Sequence, residues 1–373
     1  MHDTATADQR LLLDASADLI ADLCPMDAVR ADRHLDTEWA VTYRRRTARL
    51  GWYSLLVPEK LGGGNVSGNG LVDATLIAHR RGRELQPGPF AAANAITHAL
   101  ATDDGHERGP DILAAVIAGE QGVSWAVGIP GVHAAHSGPH ARRVGDGYEL
   151  SGTTGLVVDA DTADWILVTA TSEEGLCQFL LPRATRGLTI TPVESLDISR
   201  RFTEITFDRV AVTRADLLGA PGRCDDLVHR QLAIAAVLTA AEAVGAMERD
   251  LELTVRYAKD RIAFGRPIGS FQAIKHVLAD MSLYLEMSIA TVLAAAEDLG
   301  TGDSHGVLAA SMAKAFVGDH GIDLAQNCFQ VFGGIGFTWE HDQHRYLRRI
   351  TTDCALFGDA AWHREHLCRL SGL

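Results

Sequence analysis

Apolar residues recur at helical spacing over most of the first 120 positions. The pattern predicts helices at Ala7 to Cys24, Asp36 to Leu50, Leu71 to Leu85, Ala91 to Ala101 and Asp111 to Ala118. Turns rich in Gly, Pro and Asp separate them, such as EKLGGGNVSGNG at 59–70. From about Gly122 to Asp216 the period shortens. SWAVGI, YELSG, LVVDA, DWILVTA, QFLLP, LTITPV and FTEITFDRVAV are brief, β-rich and bounded by turn residues. Gly145-Asp146-Gly147 is a hairpin signal. After Asp216 the helical pattern returns. Leu227 to Phe264 has no proline and one glycine, Gly245, among many good helix formers. Asp225 and Asp226 are suited to cap that helix, and Gly265-Arg266-Pro267 to stop it. Such a helix is roughly 50 Å long. A second one is expected from Gly269-Ser270 to about Leu299, ended by Gly300. Two long helices joined by a tight turn imply a bundle.

A chain of 373 residues exceeds one ordinary core. The expected fold is mainly α with a middle β domain. It has an N-terminal helical domain at 1–121, a small β-barrel at 122–216 and a C-terminal four-helix bundle at 225–373. The net charge of −14 argues against nucleic acid and anionic membrane surfaces. No uninterrupted apolar run reaches the roughly 20 residues of a membrane helix. The first residues, MHDTATADQR, show no basic segment followed by an apolar one, so no signal peptide is expected. Six cysteines without C-x-x-C spacing read as free thiols in a cytoplasmic protein. Arg44-Arg45-Arg46 reads as a solvated helix face. His133, His136 and His140 lie in a loop with no carboxylate nearby, a poor zinc cage, so no metal is expected. His363 and His366 can share a helix face and are read as solvated or subunit-facing.

Two runs carry more information. RYAKDRIAFGRPIGSFQAIKHVLADM, Arg256 to Met281, resembles a signature of the flavin-dependent acyl-CoA dehydrogenases. QVFGGIGFTWEHDQHRYLRR, Gln330 to Arg349, resembles the second C-terminal motif of that family, in the family's order and separation. Helix, strand, helix by blocks matches its three-domain plan. GWYSLLVPEKLGG, starting at Gly51, also looks like the family, where it connects helices beside the substrate channel. The resemblance implies FAD as cofactor. Arg261, Phe264 and Gln272 would contact the flavin of a neighbouring subunit, and Gln330, Gly333 and Gly334 its adenosine side. Physically, a guanidinium suits pyrophosphate, a flat side chain packs on a flat ring, and glycine admits close approach. A dimer or tetramer built through the bundle follows. The implied reaction forms an α,β double bond in an acyl thioester of CoA or a carrier protein, with electrons passed to an acceptor flavoprotein.

The chain departs from the family at positions that matter for chemistry. Where the family usually has T-E-P beside the flavin ring, this sequence has Val127-Gly128-Ile129-Pro130-Gly131. Two hydrogen-bonding side chains are gone, so weak or lost flavin binding is one outcome the loop allows. The reaction needs a carboxylate base whose pKa burial raises towards the operating pH. Phe357 stands where most of the family carries that glutamate, and Ala235 stands at the minority position on the long helix. Glu242, two turns beyond Ala235 on nearly the same face, leaves two roles open: catalytic base, or buried carboxylate pairing with another helix. Asp359 suits an N-cap of the last helix better than a base. Glu340 and His341 read as orienting a turn. Two alternatives to a lone dehydrogenase stay open. One is a non-catalytic partner subunit in a heterotetramer with a related chain. The other is the same fold with other chemistry: oxygenation, or flavin-independent hydration, dehydration or cyclisation.

Overall fold

The structure, a computed structural model, describes residues 1, 5–103, 105–129, 138–220, 224–302 and 305–372. The first third is helical: α1 (Ala7–Leu23), α2 (Met26–Arg30), α3 (Thr37–Arg49), α4 (Gly70–Arg83), α5 (Phe90–Thr102) and α6 (Gly109–Ile117). All but α2 fall within two residues of the predicted spans. At 5 residues, α2 is too short for its period to be read. Side chains fix several starts. Thr6 and Gln9 form a capping box on α1, Asp36 caps α3 and Asn69 caps α4.

Strands follow: β1 (Val123–Ala126), β2 (His140–Val144), β3 (Gly147–Val158), β4 (Trp165–Ser172), β5 (Gly175–Pro182), β6 (Leu188–Val193), β7 (Phe202–Val212) and β8 (Leu217–Leu218). The strands expected to build a small barrel form one 8-stranded sheet, in the order β6-β7-β3-β2-β4-β5-β8, with β1 parallel to β4. Gly145 and Asp146 make the predicted two-residue turn, since Val144 pairs with Gly147. Alternation along β4 divides its side chains: Ile166 and Val168 enter the sheet's own core, while Leu167 joins the core shared with the helices.

The last part comprises α7 (Asp225–Asp260), α8 (Gln272–Thr301), α9 (Gly306–Phe332), α10 (Gln343–Ala355) and α11 (Ala360–Leu370). Three expected boundaries are corrected. Cys224, not Asp225 or Asp226, occupies the N-cap of α7; the two aspartates sit in its first turn, facing the positive end of the helix dipole. The helix stops at Asp260 rather than Phe264. Beyond Arg261 the chain makes a small hairpin in which β9 (Ile262–Ala263) pairs with β10 (Arg266–Pro267) around Phe264 and Gly265, both with positive φ. Finally, α8 continues through Gly300 and ends at Gly302, whose φ is +79°. Gly300 admits a neighbour instead: a Cβ there would lie 2.0 Å from Asn69 Oδ1.

By length and composition α7 and α8 could each cross a membrane, which a count of uninterrupted apolar residues did not reveal. Every residue from Gln231 to Met247 on α7 is buried in the protein. Its partner α8 leaves Leu283, Tyr284 and Met287 exposed. In the arginine run Arg45 and Arg46 are exposed on the helix face as expected, and only Arg44 departs from that reading. Arg44 turns inward and donates to the carbonyls of Gly119 and Thr162 (both 3.3 Å), while Arg46 pairs with Asp22 at 2.9 Å. The cysteines are free thiols, five of them buried and Cys368 exposed.

Candidate active site

The centre of the molecule is the crossing of α4 and α7. Their backbones nearly touch at two glycines. A Cβ on Gly82 would lie 1.8 Å from Glu242 O, and one on Gly245 would lie 1.9 Å from His79 O. This approach carries Arg81 onto Glu242. Arg81 Nε donates to Glu242 Oε1 at 2.8 Å, and its other nitrogens donate to Tyr43 Oη (3.1 Å) and Pro87 O (2.7 Å). The guanidinium also lies over the rings of Trp52 and Phe90. The second Glu242 oxygen accepts from Arg200, in the segment between β6 and β7. Arg200 also pairs with Asp353 of α10 at 2.9 Å. Arg349, one turn earlier on α10, donates to Ser199 Oγ and Gln86 O and lies 3.2 Å from Asp197.

Glu242 is therefore buried but not isolated. Burial alone would raise its pKa; Arg200, Arg81 and Arg349 outweigh burial and hold the carboxyl below the usual glutamate range. A base needs the opposite shift. Of the two roles open to Glu242, the geometry fits the pairing carboxylate. Sequence reasoning missed its partners because they lie 161 and 42 residues away.

Phe357 lies in the turn between α10 and α11, in a left-handed conformation with φ 58°. It is buried, with its ring 5.8 Å from that of Trp125 on β1. Behind Trp125, its Nε1 donates to Thr169 Oγ1 (2.9 Å), and Gln178 links Thr169 to Gln231 of α7. His363 Nε2 donates to Phe357 O at 3.0 Å, and its Nδ1 lies 3.2 Å from Ser311 Oγ. Burial lowers its pKa to about 3, so the ring is neutral. The surface role expected for His363 and His366 is thus corrected: both are buried, because α11 turns that face onto the bundle. Asp359 accepts from Trp362 N at 2.8 Å as the N-cap of α11. Ala235 is buried in the apolar stretch of α7. Glu340 is exposed, and His341 Nδ1 accepts from Gln343 N at 3.1 Å.

The loop after β1 has a packing reason for its missing threonine. A Cβ on Gly128 would lie 2.0 Å from Thr169 O, so only glycine fits the observed backbone. Pro130, Gly131, His133 and His136 lie outside the described residues; His140 opens β2 and is exposed. Among the described residues no group of histidine, cysteine and carboxylate side chains could hold a metal.

The remaining predicted contacts gather at one end of the bundle. Ile268 N donates to Arg261 O, bringing the hairpin back to the end of α7. The rings of Tyr257 and Phe332 lie 4.8 Å apart and set the end of α7 beside the end of α9. Arg261, Gln272 and Gln330 are exposed, and their side chains make no hydrogen bond or ion pair among the described residues. Phe264 is 95% exposed. A Cβ on Gly333 or Gly334 would meet nothing within 4 Å; the φ of +61° favours glycine at Gly333, whereas nothing within the chain requires it at Gly334. This open, polar cradle fits a flavin's pyrophosphate and adenosine. It lies 19 residues along α7 from Glu242, about 28 Å at the helical rise. One substrate site within one chain cannot include both.

The sequence model for the acyl-CoA dehydrogenase C-terminal domain matches residues 226–370. Acyl-CoA dehydrogenase IpdE2 of Mycobacterium tuberculosis is 32% identical over 348 residues, which span 93% of this chain and 92% of that protein. The chain belongs to the acyl-CoA dehydrogenase family. A second member, cyclohex-1-ene-1-carbonyl-CoA dehydrogenase of Geobacter metallireducens, is 28% identical over 92% of each chain. Among solved structures, a Tcur3481-Tcur3483 steroid ACAD variant superposes with a TM-score of 0.86 at 27% identity, over 98% of this chain and 97% of that one. The acyl-CoA dehydrogenase fold is thus present from end to end.

Proposed function

We propose that this chain takes part in FAD-dependent α,β-dehydrogenation of an acyl-CoA, or another acyl thioester, as one subunit of an oligomer. When bound, the flavin supplies a hydride acceptor for the substrate β-carbon. The chain's own part is to hold the far end of a flavin seated on a neighbouring subunit. Arg261 binds the pyrophosphate, Phe264 and Gln272 pack beside it, and Gln330, Gly333 and Gly334 receive the adenosine side. The observation that carries this reading is the open cluster of unpartnered side chains at the end of the bundle. The exposed apolar residues of α8 support association through the bundle. The free, mostly buried thiols suit a reducing cytoplasm, where an acceptor flavoprotein would take the electrons.

The α-proton is removed, in this reading, by a carboxylate of a non-identical neighbouring chain. Three observations support that assignment: Phe357 at the usual base position, Ala235 at the other, and Glu242 held between two arginines. Expression of the chain alone and together with candidate partner chains tests it. The expected result is no flavin absorbance and no exchange of acyl-CoA α-protons in heavy water for the lone chain, with both gained in the mixed assembly. A lone homomer that is yellow, exchanges α-protons and loses exchange on Glu242→Gln would return the base to Glu242.

A further inference from the structure

A cavity separate from both regions above lies between the N-terminal helices and the sheet. It is a small pocket, partly open to solvent, with about 40 Å³ for the centres of water-sized molecules, and its lining includes no residue of α7 or of the Phe357 turn. One wall is aromatic. Trp39 and Tyr43 of α3 stack at 5.0 Å with their planes 22° apart, and Tyr53 continues the surface. Pro87, Gly88 and Pro89 form the rim. That rim is fixed from behind, since Arg81 donates to Pro87 O and Arg349 to Gln86 O. Val123, Ala163 and Asp159 face it from the sheet side.

Two polar side chains of this lining lack hydrogen bonds. His34 is 2% exposed, and its Nε2 has no partner. Asp159 is 6% exposed, and its carboxylate makes no hydrogen bond among the described residues; Arg201 Nε stands 3.8 Å away. Asp159 also holds a left-handed backbone with φ 54°, a strained position for a residue other than glycine. Buried polar groups are seldom left without partners, so the unpartnered His34 Nε2, beside an Asp159 carboxylate whose ion pair to Arg201 is long, points to a ligand. The charge of that ligand is restricted. Arg44 is committed to carbonyls and to Asp164, and burial keeps His34 neutral with a pKa of about 4. No cation of the lining is free to hold an anion.

We propose that this cavity binds an uncharged, flat ring compound bearing a hydroxyl group, packed against Trp39 and Tyr43 with its hydroxyl on Asp159 or His34. The proposal does not rest on the flavin reading. Its probe is 2-naphthol, titrated calorimetrically into the full chain in the assembly in which it purifies, with 2-naphthoate as the charged control. One saturable site per chain is expected, with 2-naphthoate at least about tenfold weaker, the size of one lost hydrogen bond plus the cost of burying a charge. Asp159→Leu should weaken 2-naphthol about tenfold. Ala40→Phe, placed on half-buried Ala40 in the lining, should abolish binding. Trp39→Leu provides the same reading if Ala40→Phe fails to fold. No saturable binding to the parent chain, full affinity in the variants, or displacement by saturating acyl-CoA would each overturn the proposal.

Discussion

The end and the middle of one helix, α7, treat their charged residues in opposite ways. At its end, Arg261 has neither a carboxylate nor a carbonyl to bind, and the neighbouring glycines leave space. Near its middle, Glu242 has two guanidiniums within the protein, and the nearby turn presents Phe357 instead of an acid. Both regions are recognisable as acyl-CoA dehydrogenase. Only the first keeps its charged group available. A charged side chain can serve a ligand only as far as the protein leaves it unsatisfied; one already paired inside the fold mainly specifies packing.

The largest test of this contrast is Glu242→Ala. It leaves Arg81 buried without its carboxylate and Arg200 with Asp353 alone. Breaking a buried pair from one side costs about 3–5 kcal/mol. Urea denaturation should show that loss, with Glu242→Gln in between. A Glu242→Ala protein within about 1 kcal/mol of the parent would mean that the clamp is not structural.

Arg261→Ala should do the reverse. The side chain is exposed and unpartnered, so the unfolding midpoint should not move. Flavin affinity of the assembly should fall about 10- to 100-fold, the effect of losing a charged hydrogen-bonding group. Fluorescence titration of the apo-assembly with FAD measures it. A destabilised variant with unchanged flavin affinity would erase the contrast between the end and the middle of α7.

How much of this could be read from the sequence follows from the range of the interactions. Helices in the first third were legible because their apolar spacing is local, and the caps at Asp36 and Asn69 mark their starts. The Gly145-Asp146 turn was legible for the same reason. Local rules also misled. Gly300 looked like a helix stop, yet it is a contact point for Asn69, 231 positions away by subtraction. Arg81, Arg200 and Arg349 were passed over because each has another arginine beside it in sequence, a pattern that usually marks a solvated face. Only the fold reveals that Arg81 and Arg349 close around residues 86–87 and that Arg200 reaches Glu242. The same holds for Gly128, whose small size is imposed by Thr169 on β4.

A second carboxylate, Asp159, sharpens the comparison at smaller amplitude. Glu242 has two arginines in contact; Asp159 is buried with Arg201 at 3.8 Å. Burial, only partly offset by Arg201, pushes its pKa from 3.8 to about 7. Between those values the folded protein keeps a proton that the unfolded chain has released. The Asp159 contribution is therefore fully present at the acid end and declines as pH rises from about 4 to about 7, by at most about 1.4 kcal/mol per unit. Glu242 acts in the opposite sense. Its lowered pKa makes its contribution fade only as the solution becomes more acidic than the usual glutamate range, outside this window. Buried histidines such as His34 and His363 act equally in both proteins, so the difference isolates Asp159: from pH 5 to pH 7.5 the urea midpoint of Asp159→Asn, which keeps the shape and removes the proton, should rise relative to that of the parent chain. Parallel slopes in the two proteins would show that Asp159 is already ionised in the fold, held by Arg201 much as Glu242 is held by its own arginines.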